Sequence, residues 1–234
     1  MESVWIGKDN KLLDAMLDFY APRATRIIDV CCNARRMWKG SQWAGKVACY
    51  DVDPSVKPDV ACPWDALPDQ DQSVDVLVYD PPHLPLAAAS PKSLAHYSRG
   101  YGLKMSSGED NVADLHPPFL KEAKRVLRPD GIILAKIKDY VHNHRYQWNL
   151  EMFKQAARQA GLTPCDLVIK RDPCGGNLKS GRWQRAHHAK NVHCYWVVIR
   201  NGKCEPRDKD KTAPARTTMP KDEEGAFFLP EEET

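Results

Sequence analysis

Three short apolar runs end in an acid: Arg26-Ile27-Ile28-Asp29-Val30, Lys46-Val47-Ala48-Cys49-Tyr50-Asp51, and Val74 through Asp80. A strand that is apolar on both faces belongs in a parallel sheet covered on both sides, so these runs constrain the fold more than any other feature. A weaker segment, Pro58-Asp59-Val60-Ala61, lies between the second and third. Helical patterns surround them. Leu12, Leu13, Met16, Leu17 and Tyr20 recur at helical spacing, with Asn10 as candidate N-cap and Pro22 beyond the end. Leu115, Phe119, Ala123, Val126 and Leu127 mark a helix over 114–127, closed by Arg128-Pro129-Asp130-Gly131 and followed by a strand at 132–137. Trp148 to Ala160 reads as a third helix. Cys165 to Lys170 and His193 to Arg200 read as neighbouring antiparallel strands at the end of the sheet. The alternation predicts an α/β fold with a doubly wound, mostly parallel, Rossmann-like sheet.

With 42% hydrophobic and 28% charged residues, the 234-residue chain has the balance of one globular domain. A net charge of +3 does not by itself demand a polyanionic partner. No apolar run approaches the roughly 20 residues that cross a bilayer, and a cytoplasmic location is expected. The eight cysteines are scattered without a Cys-x-x-Cys pair, so reduced thiols and no metal site are expected. Beyond Asn201 the composition turns to Lys, Asp, Glu, Pro and Thr. The expected division is a domain over 1–202 and a charged, disordered tail over 203–234.

Ligands of open α/β sheets bind beyond the carboxyl ends of the strands, near the point where strand order reverses. Asp29, Asp51, Asp65 and Asp80 all fall there. A single such acid is ordinarily a helix cap; four in succession point to a ligand crevice. The ordered segments Ile27-Ile28-Asp29-Val30, Tyr50-Asp51-Val52-Asp53-Pro54, Trp64-Asp65-Ala66-Leu67-Pro68, Asp80-Pro81-Pro82-His83 and Arg125 to Gly131 resemble those of class I S-adenosylmethionine-dependent methyltransferases. The likeness spans residues 8–201. It implies that Asp29 with the loop Cys31-Cys32-Asn33 holds the methionine end of the cofactor. By the same likeness Asp51 with Val52 takes the ribose hydroxyls, and Asp65 with Ala66 the adenine edge. The usual glycine-rich turn is missing: no glycine occurs between Asp29 and Gly40, and Asn33 is the best substitute at a left-handed position. A Cys-containing, Arg-Met-bearing loop together with Asp-Pro-Pro-His is similar to small phage and bacterial methyltransferase-like proteins.

Asp80-Pro81-Pro82-His83 resembles the motif of amino-methyltransferases acting on adenine N6, cytosine N4, some guanine N2 or some glutamine amides. Such an acceptor is a planar amine with a delocalised lone pair. Asp80 and the Pro81 carbonyl can accept its N–H bonds, which returns electron density to nitrogen and aims it at the methyl. The prolines fix the backbone. His83 stands where an aromatic ring usually stacks on the acceptor.

Two loops are expected to contact substrate. About thirty residues separate the third apolar strand from the helix near Asp114 and include Ser98-Arg99-Gly100-Tyr101. Between 165 and 204, eight Lys or Arg face two acids, and Lys179, Arg182, Trp183 and Arg185 combine cations with an aromatic ring, as phosphate tracking and base stacking require. The resemblance therefore implies a methyltransferase of a nucleic-acid base, with DNA favoured over RNA. The alternatives are RNA or protein amide methylation, or a non-catalytic nucleic-acid-binding module that keeps the fold, motivated by the missing glycines.

Overall fold

The computed structural model describes residues 1–83, 112–142, 144–171, 188 and 191–204. Eight strands form one sheet: β1 (Val4–Ile6), β2 (Ile27–Asp29), β3 (Val47–Asp51), β4 (Val60–Ala61), β5 (Val74–Tyr79), β6 (Leu127–Ile137), β9 (Thr163–Arg171) and β10 (His193–Arg200). Their order is β1-β9-β10-β6-β5-β2-β3-β4. From β4 to β6 neighbours run parallel; β10 is antiparallel to both β6 and β9, and β1 pairs parallel with β9. A short hairpin, β7 (Tyr140–His142) with β8 (Arg145–Gln147), stands apart from the sheet. Among the described residues the α-helices are α1 (Asp9–Tyr20), α2 (His116–Val126) and α3 (Asn149–Gln159). Strand order reverses between β2 and β5, which puts Asp29 and Asp80 on either side of the switch point.

The sheet is covered on both faces, as its apolar strands require. Successive residues of β5 alternate between two cores: Leu77 and Tyr79 face Phe119, Leu120 and Phe153 from α2 and α3, while Val76 and Val78 face α1 and Trp196. Tyr79 and Phe119 stack with centroids 3.8 Å apart. On α1, Leu12, Leu13, Met16 and Leu17 are fully buried, each worth about 1.5–3 kcal/mol over exposure.

Three local expectations need correction. The residue before α1 is Lys8, which makes no capping bond; Asn10 lies inside the helix and donates its amide to the Lys39 carbonyl at 2.9 Å. Arg128-Pro129-Asp130-Gly131 belongs to β6 as an irregularity of register opposite Val74–Val76, with Asp130 left-handed at φ 64°. A side chain at Gly131 would meet the Arg128 carbonyl at 3.0 Å and the Val74 carbonyl at 3.2 Å, which is why glycine occupies it. Cysteines 165 and 204 are joined in a disulfide rather than reduced. Thr163 Oγ1 donates to the Gly202 carbonyl at 2.7 Å and lays the segment after β10 beside the start of β9, within reach of Cys165. The expected tail beyond Cys204 lies outside the described residues.

Candidate active site

The acids at the ends of β2 and β3 are gripped by the chain that follows them. Asp29 is fully buried and accepts the Cys31 N–H at 3.1 Å and the Trp38 indole N–H at 2.7 Å. Asp51, 1% exposed, accepts the Asn33 N–H at 2.8 Å and the Asp53 N–H at 3.0 Å. Asn33 and Arg35 adopt φ of 45° and 55°, so the turn reaches left-handed backbone without glycine. The segment is tied back onto α1: Asp14 accepts from Ser41 Oγ and the Gln42 N–H, and Asp18 from the Trp43 indole at 2.9 Å. Cys31 and Cys32 are each 3% exposed and their side chains belong to the two cores.

Among the described residues no cation neutralises this pair of acids. Burial pushes the Asp29 carboxyl up to about 7; the bonds from Trp38 and Cys31 oppose the rise, while Asp80 and Asp51 add to it. Burial likewise raises Asp51. Val52 is half-buried beside it, and Asp65 and Ala66 are exposed on the turn beyond β4.

The end of β5 is different. Pro81 and Pro82 are buried, and Asp80 and His83 half-buried. Asp80 Oδ1 lies 3.0 Å from His83 Nε2, and Oδ2 lies 3.7 Å from Lys136 Nζ on β6. Burial pushes the Asp80 carboxyl up, but His83 and Lys136 outweigh it and hold it below the usual range. Lys136 itself is 3.2 Å from Asp9 Oδ2 and 6.0 Å over the Trp196 ring; burial opposes its charge, yet Asp80 and Asp9 hold its pKa above the ordinary lysine value. Asp9 also meets Lys170 at 3.5 Å. The imidazole thus folds back onto Asp80 instead of standing free.

Behind the motif lies a neutral buried polar group. His116 Nε2 meets Asn149 Oδ1 at 2.9 Å and its Nδ1 lies 3.4 Å from the Tyr79 hydroxyl. Burial drives His116 down to about 4, keeping it uncharged near neutrality.

The structure therefore brings Asp29, Asp51 and Asp80 to one edge of the sheet. Tyr101, Lys179, Arg182, Trp183 and Arg185 lie outside the described residues. Sequence reasoning missed Lys136 and Asp9; a lysine interrupting the apolar run Ile133-Leu134-Ala135-Lys136-Ile137 was the available signal. Among the described residues no group of three or more His, Cys, Asp or Glu could hold a metal ion.

No protein-family profile matches the sequence, and no curated protein does. Among solved structures the chain is similar to a candidate sarcosine dimethylglycine methyltransferase from Galdieria sulphuraria, at 11% identity and a TM-score of 0.51 over 82% of this chain and 85% of that one. It is also similar to the 1,6-didemethyltoxoflavin N1-methyltransferase of Burkholderia thailandensis, with 15% identity and a TM-score of 0.49 over 83% and 79% of the two chains. A candidate DNA modification methylase from Thermus thermophilus matches at 16% identity and a TM-score of 0.39, over 62% of this chain and 52% of that one. The first of these likenesses, together with the strand order, establishes the fold: a mostly parallel, Rossmann-like methyltransferase sheet with antiparallel strands near its end.

Proposed function

We propose that the chain is an S-adenosylmethionine-dependent methyltransferase that acts on an exocyclic amine of a nucleic-acid base, adenine N6 or cytosine N4, with DNA favoured over RNA. The observation that carries this reading is the ionised Asp80, held between His83 and Lys136 on a rigid Pro-Pro turn at the switch point.

The residues present fit the cofactor in a particular way. The N–H groups of Val30, Cys31, Cys32, Asn33 and Arg35 are all taken, by Val78, Asp29, Tyr50, Asp51 and Cys32 respectively. The loop is thus better supplied with acceptors than donors, which suits an ammonium group over a carboxylate. Asp51 keeps unused lone pairs for a ribose diol, since a carboxylate offers about four, and the exposed Asp65 and Ala66 are open to an adenine edge. Bound there, S-adenosylmethionine would supply an electrophilic methyl group.

The chain's own residues do the rest. Asp80 and the Pro81 carbonyl accept the two N–H bonds of the acceptor amine and raise the availability of its lone pair. A negative Asp80 also favours the positive charge that grows on nitrogen as the new C–N bond forms. The surplus proton then leaves to Asp80, to water, or to His83, whose ring lies 3.0 Å from Asp80.

The test is methyl transfer from isotopically labelled S-adenosylmethionine to DNA and RNA, with mass spectrometry of the released nucleosides. Labelled N6-methyladenine or N4-methylcytosine is expected; label confined to protein or small molecules would overturn the substrate assignment. A second reading, a non-catalytic nucleic-acid-binding module, is favoured by the internal saturation of the loop around Asp29 and Asp51. Calorimetric titration with the cofactor separates the two, since the module predicts no binding heat and no thermal shift.

A further inference from the structure

Directly after the β7–β8 hairpin, at the start of α3, stands the most exposed large apolar side chain among the described residues. Trp148 is 63% exposed, although burying an indole is strongly favourable. It is not a stray ring. Tyr146, two residues earlier on the same face of the chain, lies 4.6 Å away at an interplanar angle of 55°, and Val141, 42% exposed, is Tyr146's cross-strand partner. Met152, one turn into α3, is 38% exposed.

The surroundings are cationic. From 138 to 148 the charged residues are Lys138, Asp139 and Arg145, with His142 and His144. The one acid is 2% exposed and turned inward, accepting the Leu150 N–H at 2.8 Å. On α3, Glu151 is matched by Lys154 at 2.8 Å. The basic connector meets the hairpin at one described residue: His188 Nε2 is 3.0 Å from the His144 carbonyl, and its ring is 6.3 Å from Tyr146. An exposed indole backed by a half-buried phenol, among cations, with Asp139 buried and the exposed Glu151 paired to Lys154, complements a polyanion that has flat faces.

The hairpin is also fastened to the motif. It follows β6 at the carboxyl edge of the sheet, and Asn149, the neighbour of Trp148, bonds His116, which in turn meets Tyr79, the residue before Asp80. We propose that Trp148, braced by Tyr146, is a stacking platform for an unpaired base flanking the target nucleotide. This rests on the reading of the chain as an enzyme of nucleic acid. The platform selects single-stranded or locally opened substrate, because a paired base has no free face to offer.

The experiment is anisotropy titration, without methyl donor, of a labelled 12-nucleotide DNA strand, the RNA strand of the same sequence, and the DNA duplex. It uses the parent, Trp148→Ala, Trp148→Phe and Arg145→Ala, all with matched melting curves. Trp148→Ala is expected to weaken single-strand binding about 10-fold or more and to leave the dependence of log K on log salt unchanged. Trp148→Phe should recover most of the loss, and Arg145→Ala should make the salt slope shallower by about one. Both strands should respond to Trp148→Ala, and the tighter of the two identifies the natural partner. Single-strand affinity unaffected by Trp148→Ala overturns the platform, as does an equal loss on the closed duplex. If the parent binds and methylates the strand but ignores Trp148→Ala, the platform alone fails. If the parent binds through Trp148 yet transfers no methyl group to the strand when the cofactor is added, the enzyme reading fails and the platform stands.

Discussion

Asp29 and Asp80 sit at the ends of adjacent strands, the first fully buried and the second half-buried, and their acidities move in opposite directions. Among the described residues Asp29 is bonded only by neutral N–H donors and faces two other acids; Asp80 is bracketed by an imidazole and an ammonium. Burial raises the pKa of both and cannot by itself give them opposite signs. The charge of the partner does, and it divides the crevice into one side that tolerates a proton near neutrality and one that stays anionic.

The sharpest test of that division is Asp80→Ala. With the fold intact, turnover should drop by about two to four orders of magnitude, the range for losing a transition-state hydrogen-bonding group, while cofactor binding changes less. At the same site, His83→Tyr and His83→Phe retain substantial activity if the ring stacks on the acceptor, and fall as low as His83→Ala if the imidazole takes the proton. An Asp80→Ala variant as fast as the parent would remove the anionic side of the comparison.

The opposite side is tested through stability. Asp29's pKa of about 7 in the folded state lies above the unfolded value near 4, so its contribution is fully present below about pH 4 and is lost as pH rises through 7. The loss amounts to at most about 4 kcal/mol. Asp29→Asn cannot ionise and should flatten this part of the profile, so denaturant unfolding at pH 5 and pH 8 should show a smaller fall in the variant than in the parent. Equal falls would mean that Asp29 is ionised throughout. The difference between the two proteins cancels His116, whose depressed pKa has the reverse effect: its contribution is present above about pH 6.5 and lost as pH falls through 4.

Asp51→Ala should weaken S-adenosylmethionine binding by about 1.5–3 kcal/mol. Unchanged affinity by calorimetry would take Asp51 out of the ribose role and leave it as a clasp for Asn33 and Asp53. Lys136→Met gives the smallest expected effect. With one cation gone, Asp80 should protonate more readily, moving the acid limb of the kcat–pH profile to higher pH, and Lys136→Arg should move it back. A purely structural role for Lys136 would lower activity at every pH without displacing the limb.

The sequence revealed most where both faces of an element are buried. Ile27-Ile28-Asp29 and Val74 to Asp80 need no context to be read as interior parallel strands, and an acid at the end of each locates the crevice. What escaped was long-range. Asp9 and Lys136 stand 127 residues apart and form a pair only because α1 packs beside β6. β1 and the β7–β8 hairpin have three residues per strand, too few to establish a period. Asn10 is a good capping residue in the right place, but a tertiary acceptor, the Lys39 carbonyl, claimed its amide. Within the site, Asn33 was readable as a left-handed residue; Arg35 was not, because arginine shows no preference for that conformation.

The link between Cys165 and Cys204 turns the stretch between them, which includes the basic connector, into a covalent ring closed at the end of the sheet away from the acids. A protease that cuts once inside that ring cannot release a fragment. The nicked chain should run at full length on a non-reducing gel and separate into two bands only after thiol treatment, so the connector could be severed while the disulfide still joins the two pieces.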